Sequence, residues 1–151
     1  MSYVKGVDVS SYQNPGYDTT GLGFAFVKAT QGQSYVNPDM TGEIATAEKA
    51  KLVVGLYLFM QPGDSVTAQL NYFKTHAPVK PGYLIAVDWE GLNGAWASNA
   101  DKDALIKGLK AAYPHNRVGL YTNRDGWLSQ DHTGYCGDYL WIADPGTSAP
   151  R

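Results

Sequence analysis

The sequence has little of what marks several common classes of protein. It contains a single cysteine, Cys136, so no disulfide can form within the chain. Its 12 lysine and arginine residues do not outnumber its 14 aspartate and glutamate residues, and the net charge of −2 argues against a nucleic-acid-binding protein, which would present a basic face. No apolar stretch is long enough to cross a membrane. We therefore expect neither nucleic acid nor a membrane as a partner.

Ligands for a metal or a cofactor are also scarce. The three histidines are scattered next to proline, asparagine and threonine, and we interpret them as loop or surface residues. The glycine-rich stretch Gly21-Leu22-Gly23 precedes an apolar run, whereas the phosphate loop of a dinucleotide site follows one. We expect no metal and no cofactor. Residues 1–5 lead directly into the first apolar run, so we also expect no signal peptide.

The chain consists of apolar runs that alternate with amphipathic segments. With 44% hydrophobic residues and no linker-like stretch, residues 1–151 are expected to form one domain. Six runs predict strands: 4–9, 24–29, 52–59, 84–88, 117–121 and 139–143. Three helices are predicted between them: one that opens at Asn37-Pro38, one capped by Asp64, and one over Asp101 to Tyr113. Such alternation predicts an α/β fold with parallel strands and crossover helices.

Two α/β architectures fit this alternation: a doubly wound open sheet and a (β/α) barrel. Polar or aromatic residues follow the carboxyl ends of all six predicted strands, for example Asp8, Tyr57, Asp88, Tyr121 and Trp141. A barrel builds its site from the ends of many strands, whereas a doubly wound sheet uses mainly one crevice. The pattern therefore favours a TIM-like barrel.

An acidic pair ends one of these apolar runs. In Leu84-Ile85-Ala86-Val87-Asp88-Trp89-Glu90, the two acids are separated by one residue and so project from the same face of a strand. Like charges held close together raise the pKa of one carboxyl group and leave the other charged. This is the chemistry of glycoside cleavage. The alternative is an exposed loop whose acids are merely solvated. Trp89 should point to the opposite face and pack against a helix.

The chain resembles the glycoside hydrolase family 25 lysozymes, which are N-acetylmuramidases. The resemblance covers essentially the whole chain, in order. It is carried by residues 6–13 (GVDVSSYQ), 26–30 (FVKAT), 55–59 (GLYLF), the Asp88-Trp89-Glu90 triplet, 118–123 (VGLYTN) and 140–143 (LWIA). It implies cleavage of the β-1,4 bond between N-acetylmuramic acid and N-acetylglucosamine, with bacterial peptidoglycan as the partner.

The resemblance also implies roles for individual residues. Glu90 would be the general acid, and Asp88 would stabilise the attacking 2-acetamido group of the sugar or act directly as the nucleophile. Asp8 would lie on the floor of the same pocket. Chitinases carry a further aspartate where this chain has Ala86, which favours the lysozyme. The residues expected to line the sugar groove, some of which could instead pack the barrel, are Tyr57, Phe59, Gln61, Tyr121, Trp141 and Asp144.

The chain departs from the family in three places. The family usually has glutamate at the position of Gln31 and histidine at the position of Leu58. Its barrel has about eight strands, of which this chain carries six, so we expect an incomplete barrel. Three explanations remain open: a second chain that completes it, self-association, or closure with fewer strands. The function is accordingly either a muramidase, stored in the host cytoplasm before phage lysis, or a non-catalytic peptidoglycan-binding remnant.

Overall fold

The computed structural model describes residues 3–146, in which strands and helices alternate. The strands are β1 (Gly6–Val9), β2 (Phe24–Gln31), β3 (Tyr35–Val36), β4 (Val53–Phe59), β5 (Leu84–Asp88), β6 (Val118–Asn123) and β7 (Leu140–Ala143). The α-helices are α1 (Met40–Lys49), α2 (Val66–His76) and α3 (Asn99–Ala112), and a short π-helix spans Gly126–Gln130. The predicted alternation of parallel strands and helices is confirmed.

One sheet contains all of these strands. Its order is β1-β2-β4-β5-β6-β7, every pair in this path is parallel, and the short β3 pairs antiparallel with β2. The strands therefore follow one another in chain order, whereas a doubly wound sheet reverses its order at a switch point. The barrel-like alternative is the correct one.

The sheet curls into a half-barrel. Strands β2 and β7 are four steps apart in the sheet, about 19 Å if the sheet were flat. Yet the rings of Phe26 and Trp141 lie with their centroids 4.6 Å apart. Glycines on the strands make room for aromatic rings: a Cβ atom on Gly55 would lie 2.3 Å from the Phe26 ring, and one on Gly119 would lie 2.5 Å from the Tyr139 ring. The aromatic side chains fill the concave side, while the helices cover the convex side.

The half-barrel leaves two strand edges open. Within residues 3–146, β1 pairs only with β2, and β7 pairs only with β6. This agrees with the expected incomplete barrel of about six parallel strands. None of the helices in the described part of the chain combines the length and the apolar character that a membrane crossing requires.

The predicted helix starts were wrong by a few residues. Helix α1 begins at Met40, with Asp39 at the N-cap position. The Asn37 side-chain oxygen accepts from the Asp39 N–H (3.0 Å), before the first helical residue, and its amide donates to the carbonyl oxygen of residue 28 in β2 (2.9 Å). Helix α2 is capped by Ser65, whose Oγ accepts from a backbone N–H, while the Asp64 carboxylate binds a different loop. Helix α3 begins two residues before the predicted Asp101, at residue 99.

Candidate active site

The acidic pair lies at the carboxyl end of the central strand β5. The apolar part of β5 is almost entirely buried, and Asp88, its last residue, is only 7% exposed. Glu90 follows on the same side and is half-buried. The Trp89 side chain is buried on the opposite side, as predicted, where its indole N–H donates to the carbonyl oxygen of Ala97 (2.9 Å). The exposed-loop alternative is therefore wrong, because the acids are held on a packed strand end.

The two acids open into a small pocket of about 200 Å³. Parallel strands present their carboxyl ends at the same edge of a sheet, so residues that are distant in sequence meet here. Six side chains line the pocket: Asp8, Tyr57, Asp88, Glu90, Tyr121 and Trp141. All six were predicted as site residues from the sequence, and five different strands contribute them.

Three further predicted residues lie outside the lining of this pocket. Phe59 is the last residue of β4, and its ring faces the ammonium group of Lys28 (5.5 Å). Gln61 accepts a hydrogen bond from the Gln31 amide (3.1 Å). Asp144 follows β7 and is half-buried. Their contact with substrate stays a prediction.

Burial dominates the electrostatics of the acidic pair. It raises the pKa of Asp88 well above its ordinary value, and the nearby negative charge of Glu90 raises it further. Burial also raises the pKa of Glu90. One oxygen of Asp88, Oδ1, is buried and has no hydrogen-bond partner among the described residues. A pair that resists losing both protons can keep one proton available for transfer at mild pH.

Asp8 and two tyrosines in the pocket further favour retention of a proton by the acidic pair. Asp8 lies on the edge strand and is partly exposed, but burial of its carboxyl group in the pocket raises its pKa. The negative charge of Asp8 in turn raises the pKa of Asp88 and Glu90. Burial and the neighbouring acids also raise the pKa of Tyr57 and Tyr121, so both hydroxyl groups stay neutral and able to donate. The pocket therefore combines three carboxyl groups with two neutral phenols.

Two lysines that were not predicted as site residues lie near the acidic pair and Trp89. Lys28 lies on β2, half-buried, and its positive charge lowers the pKa of both Asp88 and Glu90. Lys102, in α3, is completely buried and lies 5.4 Å from the Trp89 ring centroid. The signal for Lys28 was its spacing of two residues from Phe26, which places both side chains on the concave face. Within residues 3–146, no group of three or more His, Cys, Asp or Glu side chains is arranged to hold a metal ion.

A curled sheet of parallel strands with a buried acid pair at its carboxyl edge is the arrangement of a barrel-type glycoside hydrolase. Comparison with known proteins agrees. The N,O-diacetylmuramidase of Chalaropsis sp is 35% identical over 147 residues, which cover 83% of this chain and 69% of that protein. Lysozyme M1 of Streptomyces globisporus is 34% identical over 168 residues, covering 99% of this chain and 57% of that protein.

The structural comparison leads to the same family. A family 25 glycosyl hydrolase from Bacillus anthracis superposes with a TM-score of 0.82 at 25% identity, and the match covers 96% of this chain and 72% of that one. The sequence model of the family described as "Glycosyl hydrolases family 25" matches residues 7–151. The chain belongs to glycosyl hydrolases family 25.

Proposed function

We propose that this protein is a muramidase that hydrolyses the β-1,4 bond between N-acetylmuramic acid and N-acetylglucosamine in bacterial peptidoglycan. The observation that carries the proposal is the pair Asp88 and Glu90, held at the end of a buried strand in a pocket that Asp8 and three aromatic side chains complete. Membership of family 25 and the muramidase and lysozyme relatives support the choice of substrate.

The proposed reaction uses the carboxyl groups in different roles. Glu90, the half-exposed member of the pair, donates a proton to the glycosidic oxygen as the bond to the anomeric carbon breaks. The acetamido oxygen of the same sugar forms the new bond to that carbon, and Asp88 stabilises the positive charge that develops on the acetamido group. Water then attacks the anomeric carbon, the acetamido group leaves, and the proton from water returns to Glu90. Asp8 adds negative charge near the reacting centre.

Burial suggests where the proton rests before substrate enters. Asp88 is the more deeply buried acid, so in the free protein burial favours a proton on Asp88, which its side-chain interaction with Glu90 shares between the two groups. We infer that the proton moves to Glu90 when substrate binds, before the glycosidic bond breaks, so that Asp88 is negatively charged when the positive charge develops on the acetamido group beside it. In its alternative role, the Asp88 carboxylate attacks the anomeric carbon directly, and the acetamido group takes no part in the reaction.

Substrates with and without the acetamido group separate these two roles. If the acetamido group participates, a substrate analogue whose 2-acetamido group is replaced by hydroxyl should not be cleaved, and Asp88→Asn should retain more activity than Glu90→Gln on the natural substrate. Cleavage of the hydroxyl analogue, with trapping of a sugar on Asp88, would instead identify Asp88 as the nucleophile.

The muramidase assignment itself is tested with purified peptidoglycan. Wild type should release reducing sugar, and Glu90→Gln should lose at least about 100-fold of that activity, because glutamine keeps the shape of the side chain but carries no transferable proton. Tyr12→Phe is a suitable control, since Tyr12 is exposed and outside the pocket lining. Equal activity of wild type and Glu90→Gln would refute the assignment.

A second candidate function is binding of peptidoglycan without turnover. In the part of the chain that the structure describes, the outer edges of β1 and β7 have no partner strand, and a half-barrel without neighbours there encloses its pocket less completely. We infer that a second copy or another chain covers these edges. A stable monomer of 16.4 kDa in solution would contradict this. Binding of peptidoglycan without release of reducing sugar would support the binding function.

We also propose that the protein accumulates in the cytoplasm of the host cell and reaches the cell wall only at lysis, which we call the lytic setting. Cells that produce the protein should therefore stay intact until their membrane is permeabilised, and should then lose turbidity quickly. Lysis without permeabilisation would contradict this setting.

A further inference from the structure

Lys28 lies next to the acidic pocket, since it is the β2 register partner of Tyr57 in β4, whose side chain lines the pocket. Lys28 is half-buried in β2, and its ammonium group donates to the Gln31 side-chain oxygen (2.7 Å). The rings of Tyr35 and Phe59 lie 5.2 Å and 5.5 Å from the same nitrogen. Contact with two rings and one amide fixes the position of the charge without neutralising it.

No carboxylate of the described residues pairs directly with this lysine. Within residues 3–146, the ion pairs shorter than 4.0 Å belong to Lys80, Lys102 and Lys110. Partial burial of a charge is unfavourable unless other charges compensate it. For Lys28 the compensation comes from the pocket, because the negative charges of Asp88 and Glu90 oppose the lowering of its pKa by burial.

The backbone and a chain of amides hold this arrangement. The strand register of β2 against β4 shifts immediately after Lys28, and the Asn37 amide donates to the Lys28 carbonyl oxygen (2.9 Å). The Gln31 amide nitrogen donates to the Gln61 oxygen, so the Gln31 oxygen is left to face the ammonium group. The Gln61 backbone N–H is in turn bound by the buried Gln69 (2.9 Å).

We propose that Lys28 is the counter-charge of the acidic pocket, and that the neutral side chain of Gln31 holds it there without cancelling its charge. Lys28 is a positioning residue, since it acts through Asp88 and Glu90 and not on the substrate. The inference rests on the proposed function of these two acids. It also gives a physical role to Gln31, whose amide oxygen accepts from the ammonium group.

The charges that face the acidic pair determine the expected effect. Asp8 on β1 is negative, and Tyr57 on β4 and Tyr121 on β6 are neutral, so Lys28 is the positive group among them. Removing its charge should raise the pKa of both Asp88 and Glu90. The pH range in which the pair holds one proton should then move upward, and the activity optimum with it.

Three variants test the proposal through the pH dependence of peptidoglycan cleavage. Lys28→Met removes the charge, and Gln31→Glu places a carboxylate where the amide oxygen now lies 2.7 Å from the ammonium group. Both should move the optimum to higher pH by about one unit, at the lower end of the range for a nearby opposite charge. Lys28→Arg keeps the charge and should keep the wild-type optimum. An unchanged optimum in folded Lys28→Met and Gln31→Glu would overturn the proposal.

A measurement without turnover separates this inference from the muramidase assignment. The carboxyl carbons of Asp88 and Glu90 can be titrated by NMR in wild type, Lys28→Met and Gln31→Glu. Upward movement of both titrations in the two variants would support the counter-charge even if the wild type proved inactive on peptidoglycan. Identical titrations in all three folded proteins would overturn it even if the wild type were active.

Discussion

Replacing Glu43 by glutamine should change the pH dependence of stability. The Glu43 side chain, in helix α1, is completely buried. Its Oε1 accepts from the Asn37 amide (3.2 Å), and its Oε2 has no hydrogen-bond partner among the described residues. Burial, reinforced by the charge of Asp39 and opposed by the Asn37 hydrogen bond, raises the pKa of Glu43 from 4.5 to about 7.

The sign of the effect follows from this raised pKa. Below the ordinary glutamate pKa, both the folded and the unfolded chain carry a proton at residue 43, and the protein has its full stability. Between that value and about pH 7, only the unfolded chain loses the proton, so the free energy of unfolding falls as the pH rises. At about 1.4 kcal/mol per pKa unit, the loss is about 3 kcal/mol once the pH exceeds both pKa values.

Urea unfolding of wild type and Glu43→Gln measures this loss. Glutamine does not ionise, so the difference in unfolding free energy between Glu43→Gln and wild type should increase by about 3 kcal/mol from about pH 4 to about pH 8. Glu48→Gln, in the same helix, is the control: its carboxylate is bound by Lys80 and Tyr83, which lowers its pKa, so the sign should be opposite. A constant difference for Glu43→Gln across this pH range would refute the reasoning.

Two further predictions concern the packing around the site. Lys102→Met should lower the free energy of unfolding by about 3–5 kcal/mol, because the buried Asp131, which lies 2.6 Å from the ammonium group, would lose its charge partner. Lys110→Met is the control: Lys110 belongs to a partly exposed ion pair, so its removal should lower the free energy of unfolding by less than about 1 kcal/mol. Equal losses in chemical denaturation would contradict this. Gly55→Ala should lower the melting temperature, with a cost of about 1–3 kcal/mol, because its Cβ would lie 2.3 Å from an aromatic ring in the half-barrel, while Gly16→Ala, with its nearest atom 3.5 Å away, should not. Equal melting temperatures of the two glycine variants would argue against the close packing of the concave face.

The strands could be predicted from the sequence more securely than the helix starts. The apolar runs of β2, β4 and β5 are long and buried on both sides, so composition alone identifies them. Helix starts depend on which of several neighbouring polar residues caps the helix. At α2, Asp64 and Ser65 are both suitable caps, and only the tertiary contact of Asp64 with the loop at Gln33 decides between them.

The position of the three pocket acids could also be predicted, because it depends on the strands and not on the helix starts. Parallel strands bring their carboxyl ends to one edge, so Asp8, Asp88 and Glu90 could be placed together before any distance was known. The roles of Lys28 and Lys102 could not be inferred in this way. Their charges matter because of partners in other parts of the chain, such as Asp131, which follows Lys102 by 29 residues.

The most direct test of the central claim is to identify the new reducing end that the protein produces in peptidoglycan. After digestion, the reducing ends are labelled by borohydride reduction, and the reduced sugar is identified after acid hydrolysis. The account predicts reduced muramic acid in the wild-type digest and none above background with Glu90→Gln. Reduced glucosamine in place of muramic acid, or the same yield of muramic acid from both proteins, would contradict it.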